Sequence, residues 1–237
     1  MKRIIALFAV SLALTGIVNA QSIVSSDRTV DKSIPSFRIA VQGGFAYQLG
    51  KVDNSQGSEM TEFQKDLKKG SCYSADVTYF FSEALGLGVR YSNSHYSANF
   101  VSSLSFQDGS TRKGTFHEEM NLNFVGPFLS YRWLSPDARN AFYINYGLGY
   151  LGMVDDAVIF EKFKIKGGTL GHLGDIGYDF SITKHFALGA TISLVTGTCT
   201  SYTLYNSAGA SETIKLDKDK YETYSHLSFS IGFRFLL

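Results

Sequence analysis

The hydrophobic pattern of this chain has a period of two. In the last eleven residues, Leu227 to Leu237, Leu227, Phe229, Ile231, Phe233, Phe235 and Leu237 form one face, and Ser228, Ser230, Gly232 and Arg234 form most of the other. Only an extended strand keeps two such sets apart. The pattern recurs from Phe37, where Phe37, Ile39, Val41, Phe45, Tyr47 and Leu49 alternate with Arg38, Ala40, Gln42, Gly44, Ala46 and Gln48. Between these ends it predicts strands at Cys72–Phe81, Leu85–Ser94, Met120–Trp133, Phe142–Leu151, Thr169–Phe180 and Phe186–Leu194. No long amphipathic helix is available to cover the apolar faces. The one helical spacing, Met60, Phe63 and Leu67 before Gly70, predicts a short helix inside a loop.

The connections between the eight strands alternate long and short. Ser82–Ala84, Leu134–Asn140 and Ser181–His185 are tight; Gly50–Gly70, His95–Glu119, Met153–Gly168 and Thr200–Thr223 are long. Phe100–Phe106 and Thr111–Phe116 look extended around Asp108-Gly109, a favoured hairpin pair, so strands three and four are expected to continue beyond the main sheet. Strand four breaks phase: Leu122 and Phe124 read as outward on even numbers, then Leu129, Tyr131 and Trp133 on odd ones. One extra residue near Val125-Gly126-Pro127, a β-bulge, would account for this.

An even strand count, strands of about ten alternating residues and short turns opposite long loops are the pattern of a transmembrane β-barrel. The aromatics agree. At the short-turn ends the outward positions are Phe37, Phe81, Trp133, Phe142, Phe180, Phe186 and Phe235, with Leu85 on strand three. A ring of large aromatics at one level suits a girdle at the lipid interface. The expected fold is all-β, an eight-stranded antiparallel up-and-down transmembrane barrel over residues 36–237, with short turns periplasmic and long loops outside.

The first residues change the picture from a barrel to an exported one. Lys2 and Arg3 precede the apolar run Ile4–Val18, and Val18-Asn19-Ala20 has the small-residue form of a cleavage site before Gln21. The run is shorter than the ~20 residues of a spanning helix. Residues 1–20 are therefore expected to be a signal peptide and 21–35 a polar periplasmic extension. Without Lys2 and Arg3 the formal charge passes from +1 to −1, which offers nucleic acid nothing. Cys72 and Cys199 lie in no metal or redox spacing and, on strands separated by two others, leave pairing open.

The segment N-F-V-G-P-F-L-S-Y-R-W-L-S-P-D-A-R-N-A-F-Y-I-N-Y-G-L-G-Y-L-G, Asn123 to Gly152, and the ending F-S-I-G-F-R-F-L-L resemble the small outer-membrane β-barrel proteins of Bacteroidetes type, similar in architecture to OmpA- and OmpX-type barrels. The resemblance covers Phe37 to Leu237. It implies location in the outer membrane, lipid around the barrel, and the barrel-assembly machinery as a partner of the C-terminal strand. Such C-termini often finish on an aromatic residue; here Leu237 is last and Phe235 lies two before.

Eight strands enclose an interior about wide enough for side chains to fill. The inward residues Arg38, Gln42, Asp76, Arg90, Arg132, Tyr143, Asn145, Asp175, Asp179 and Arg234 carry both signs at similar heights, which predicts a packed polar lumen rather than an open pore. Centring the tight hairpin on Glu83 sets Asp76 opposite Arg90, a lumenal ion pair.

Other motifs carry less. Gly147-Leu148-Gly149-Tyr150-Leu151-Gly152 matches G-x-G-x-x-G but lies within a strand, where glycines make room in a narrow lumen rather than cradle a dinucleotide. His117-Glu118-Glu119 is the one local cluster with metal-binding groups, and reads more simply as a solvated strand end. His95 and His172 near the outer rim are the candidates for a lipid-modifying enzyme, but spacing does not assemble them with a partner. No catalytic, cofactor or metal site is expected. The leading expectation is a structural or surface-interaction protein, contacting an extracellular or host ligand through Gly50–Lys69, Ser97–Phe116 and Thr200–Thr223; the alternatives are a narrow porin-like channel or a lipid-modifying enzyme.

Overall fold

Alternation along each strand closes the sheet on itself. The computed structural model describes residues 34–50, 52, 58–105, 111–159, 161–218 and 221–237. The expected signal peptide, nearly all of the N-terminal extension, and the Asp108-Gly109 turn lie outside them. Strands β1 (Phe37–Gln48), β2 (Lys69–Phe80), β3 (Leu85–Ser105), β4 (Thr111–Leu134), β5 (Asn140–Ile159), β6 (Glu161–Ser181) and β7 (Phe186–Cys199) pair in sequence. Three pieces, β8 (Ser201–Tyr205), β9 (Ser211–Lys215) and β10 (Glu222–Thr223), precede the last strand, β11 (His226–Leu236). β11 pairs with β7 and, from Arg38↔Leu236 to Gln48↔His226, with β1. The ring is an eight-stranded antiparallel up-and-down barrel, and it leaves no open edge in its lower part.

The barrel wears its apolar residues outside and its charges inside. Phe45, Val41, Val89, Leu129, Ile231 and Phe233 are exposed, while Arg90 and Arg234 are 1% and 0% exposed. A hydrocarbon surrounding requires that inversion. The lower aromatic ring is present: Phe37, Phe81, Trp133, Phe142, Phe180 and Phe186 are exposed, and Phe235, half-buried, packs on Phe186 at 5.1 Å. Four exposed tyrosines, Tyr47, Tyr73, Tyr91 and Tyr150, lie higher on β1, β2, β3 and β5. A strand tilted as in such barrels gains about 2.5 Å of height per residue. The ten residues from Phe37 to Tyr47 therefore span about 25 Å, the height of a lipid-facing band.

The barrel is lopsided. β1, β2, β7 and β11 have 12, 12, 14 and 11 residues, whereas β3, β4, β5 and β6 have 21, 24, 20 and 21. Four strands thus rise above the band as a continuous sheet, which β8 extends from β6 and β9 from β8. The segment Met153–Gly168, expected as a long connection, is mostly the upper β5–β6 hairpin. Helix α1 (Ser58–Leu67) forms where the Met60, Phe63, Leu67 spacing predicts it, with Glu59 in its first turn and Lys65 in its last, matching the helix dipole.

The phase break in β4 has a different cause from the expected bulge. The β3–β4 register runs without interruption from Leu85↔Tyr131 to Ser105↔Thr111. Against β5 it is the same on both sides of Gly126-Pro127, from Val125↔Tyr150 to Phe128↔Gly147, so no residue is inserted. Leu122 and Phe124 simply point inward, each 1% exposed. The apparent shift was a change in what fills the lumen.

Candidate functional site

The lumen of the lower barrel is spanned by six alternating charges. Asp175 Oδ2 accepts from Arg90 Nη1 at 2.5 Å; Arg90 Nη2 donates to Asp76 Oδ2 at 2.7 Å; Asp76 Oδ1 accepts from Arg38 Nη1 at 2.9 Å. Arg38 Nε donates to Asp179 Oδ2 at 2.8 Å, and Asp179 Oδ1 accepts from Arg234 Nε at 3.0 Å. Five strands contribute, and every member is buried. Asp76 and Arg90 also stand opposite each other in the β2–β3 register, as the hairpin centre at Glu83 implies.

Neutral polar groups complete the layer. Arg234 Nη2 donates to Gln42 Oε1 at 2.7 Å and Thr191 Oγ1 at 3.1 Å; the hydroxyls of Thr191 and Tyr143 lie 2.6 Å apart. Asn145 Nδ2 donates to Asp175 Oδ2 at 3.0 Å. Gly189 makes this packing possible, since a Cβ there would collide with the Asp179 carboxylate and the Arg234 guanidinium. Such a network is poor evidence of net stability, because desolvation offsets much of the attraction. Its firm consequence is geometric: guanidiniums and carboxylates occupy the cross-section.

Arg132 stands apart. Its Nε and Nη2 donate to the carbonyls of Glu83 and Pro35, both at 2.8 Å, and its guanidinium lies 3.5 Å from the Phe80 ring centroid. It joins no carboxylate of the ladder.

Above the ladder the expected polar filling stops. A small serine-lined space of about 10 Å³, bordered by Ser74, Ser92, Ser193 and Ser228, separates it from an apolar layer. That layer contains Tyr96, Leu122, Phe124, Phe128, Leu151, Leu173 and Val195, all at most 2% exposed. Phe63 and Leu67 of α1 join the same cluster from the outer end, with Phe63 4.9 Å from Phe100. The lumen is therefore polar only below. Sequence reasoning missed the apolar layer because it assigned the even-numbered residues of β4 to the lipid face; the signal was there in Leu151, Leu173 and Val195, apolar residues in inward phase.

Higher still, inside the risen sheet, acids gather. Asp155 of β5 is 7% exposed, and its Oδ1 has no hydrogen-bond partner among the described residues. Burial, then the charges of Glu118, Asp156 and Glu222, push its pKa up to about 7. Glu118 is raised too, by burial and then by Glu222.

The remaining candidates are dispersed. His95 meets Asn121 at 3.2 Å and His172 meets the Tyr146 hydroxyl at 3.0 Å. His117 contacts Asn99 and, at 3.1 Å, Glu119. Among the described residues no group of three or more His, Cys, Asp or Glu side chains has a metal-binding arrangement. Cys72 and Cys199 are both buried free thiols. Gly147 and Gly149 sit against the β4 backbone, where a Cβ would meet the Pro127 and Val125 carbonyls.

No family model matches the chain, and no curated protein does. Solved structures do. The outer membrane protein OprG from Pseudomonas aeruginosa is 12% identical, with a TM-score of 0.53 over 86% of this chain and 97% of that one. A major outer membrane protein from Thermus thermophilus is 10% identical, with a TM-score of 0.50 over 85% and 99%. At these identities the likeness is one of fold: this chain has the barrel architecture of small outer-membrane proteins.

Proposed function

We propose that the chain is an outer-membrane protein whose sealed barrel anchors an interaction surface built from the risen β3–β6 sheet, α1 and the β8–β9 hairpin. One observation carries this reading. The lumen is filled twice, by the charge ladder and by the apolar layer, while the strands continue far beyond the height that lipid requires. At about 2.5 Å per residue, the 24 residues of β4 reach about 60 Å. Investment in the outer end, not in a pore, is what the strand lengths reflect.

Lipid at the apolar band and the barrel-assembly machinery at β11 are the partners this reading requires. The narrower assignment to the Bacteroidetes-type small barrels rests on the Asn123–Gly152 stretch and the final nine residues. The function proposed is non-enzymatic. The outer partner is a molecule recognised by the upper sheet, and the side of β9 that has no strand partner among the described residues could receive an extended chain by strand addition.

Planar-bilayer recording tests the sealed barrel directly. The refolded protein, shifted in mobility on boiling, is expected to give no stable conductance; a steady, reproducible open level would overturn the seal and favour the channel. Recovery of the protein in a soluble fraction would overturn the outer-membrane location.

A further inference from the structure

Among the described residues, the periplasmic end of the lumen carries one positive charge more than its partners balance. Below the apolar layer four buried arginines, Arg38, Arg90, Arg132 and Arg234, face three buried aspartates, Asp76, Asp175 and Asp179. Asp76 and Asp179 each bind two arginines and Asp175 one, and the arginine left out of these pairs is Arg132. Its Nε and Nη2 hydrogen bonds go to backbone carbonyls. The Glu83 carboxylate attracts it only at longer range, and the nearby Arg38 charge repels it. A buried guanidinium without a counter-charge is costly.

Arg38 has a vacancy of its own. It is 5% exposed, and its Nη2 is buried with no acceptor among the described residues, although Nη1 and Nε are both engaged. Both arginines line one cavity of about 30 Å³, bordered also by Ser130, Ser181, Phe80, Ala141 and Asp179. A single buried water needs roughly 10–15 Å³ of such space, so the cavity admits one small ion and little more. The Asp179 carboxylate would oppose an anion, but both its oxygens are already taken by Arg38 and Arg234.

We propose that this cavity binds a small monovalent anion, of halide or nitrate size, between the Arg38 and Arg132 guanidiniums. The surrounding Phe80 and Ala141 favour a weakly hydrated ion; a dianion such as sulfate would exceed both the space and the single unbalanced charge. The site faces the periplasmic end and stands independently of what the outer surface binds.

Bromide NMR linewidths on the full chain, refolded in a non-ionic detergent, test the site. The comparison uses Arg132→Gln, which removes the unbalanced charge; Ala141→Leu, which fills the cavity and keeps both arginines; and Arg139→Gln, an exposed control. Heat-modifiable mobility first establishes that each is folded. Excess broadening is expected in the wild type and in Arg139→Gln, reversed by chloride or nitrate but not by sulfate, and lost in the other two variants. Equal broadening in all four proteins, the signature of surface binding, overturns the proposal, as does none in the wild type. Should Arg132→Gln fail to fold, Ala141→Leu decides; should both fail, displacement by sulfate as readily as by chloride in the wild type refutes the site.

Discussion

In the lower lumen Arg38, Arg90 and Arg234 pair with aspartates across five strands; above this ladder, the same lumen is filled by rings and aliphatic chains that need only fit. The two fillings fail differently. A guanidinium removed from the ladder strands carboxylates in a medium that cannot solvate them, whereas a phenyl removed from the apolar layer leaves a void. The lower region therefore depends on identity and the upper one on volume. The acids above the apolar layer add a third behaviour, since burial and neighbouring carboxylates raise Asp155 and Glu118 and their charge answers to pH.

The sharpest way to break the comparison is at Arg90, which holds both Asp76 and Asp175. Arg90→Ala is expected to cost upwards of about 3–5 kcal/mol, and Asp76→Ala a similar amount, with the double variant far less destabilised than their sum. Urea titrations of folding into lipid vesicles measure this; simple additivity would mean the pair is not coupled. In the upper layer Phe124→Ala should cost about 3–5 kcal/mol from lost contact and cavity. It should leave the bilayer silent, because the ladder still closes the lumen beneath. A conducting Phe124→Ala protein would show that the apolar layer alone is the seal.

Asp155 sharpens the contrast through pH. Its folded pKa, about 7, lies above the ordinary carboxyl value near 4, so the folded state holds the extra proton between them. The outer extension should then be most stable below about pH 4 and lose up to a few kcal/mol as pH rises through 7. Limited proteolysis at about pH 5 and about pH 8 should show faster cutting at the higher pH, and Asp155→Asn should flatten the difference. The smallest effect is expected at α1. Phe63→Ala removes one buried ring from a helix held at the outer end, worth about 1–3 kcal/mol, and hydrogen exchange should rise in α1 while the ladder strands stay protected.

Much of this was legible because a strand has only two faces. The alternation that begins at Phe37 and ends at Leu237 assigned lipid and lumen correctly for most of the ring, and the hairpin centre at Glu83 set Asp76 against Arg90. It misled at Leu122 and Phe124. The assumption that apolar means outward is sound for a barrel with a polar lumen, but this lumen changes character half-way up, and alternation alone does not reveal which face encloses it. The risen hairpins were only partly visible, since Met153–Gly168 has mixed polarity on both faces, as a sheet in water does.

The sequence by itself determined the eight ring strands, their order and, outside the upper part of β4, the face that each residue takes, because period-two patterning and turn lengths are local properties. Which arginine would go without a carboxylate was decided only in three dimensions. Arg38, Arg90 and Arg234 reach aspartates on β2 and β6 across the closed ring, at distances set by its closure and by the space that Gly189 leaves. Arg132, equally inward by pattern, meets the Glu83 and Pro35 carbonyls instead.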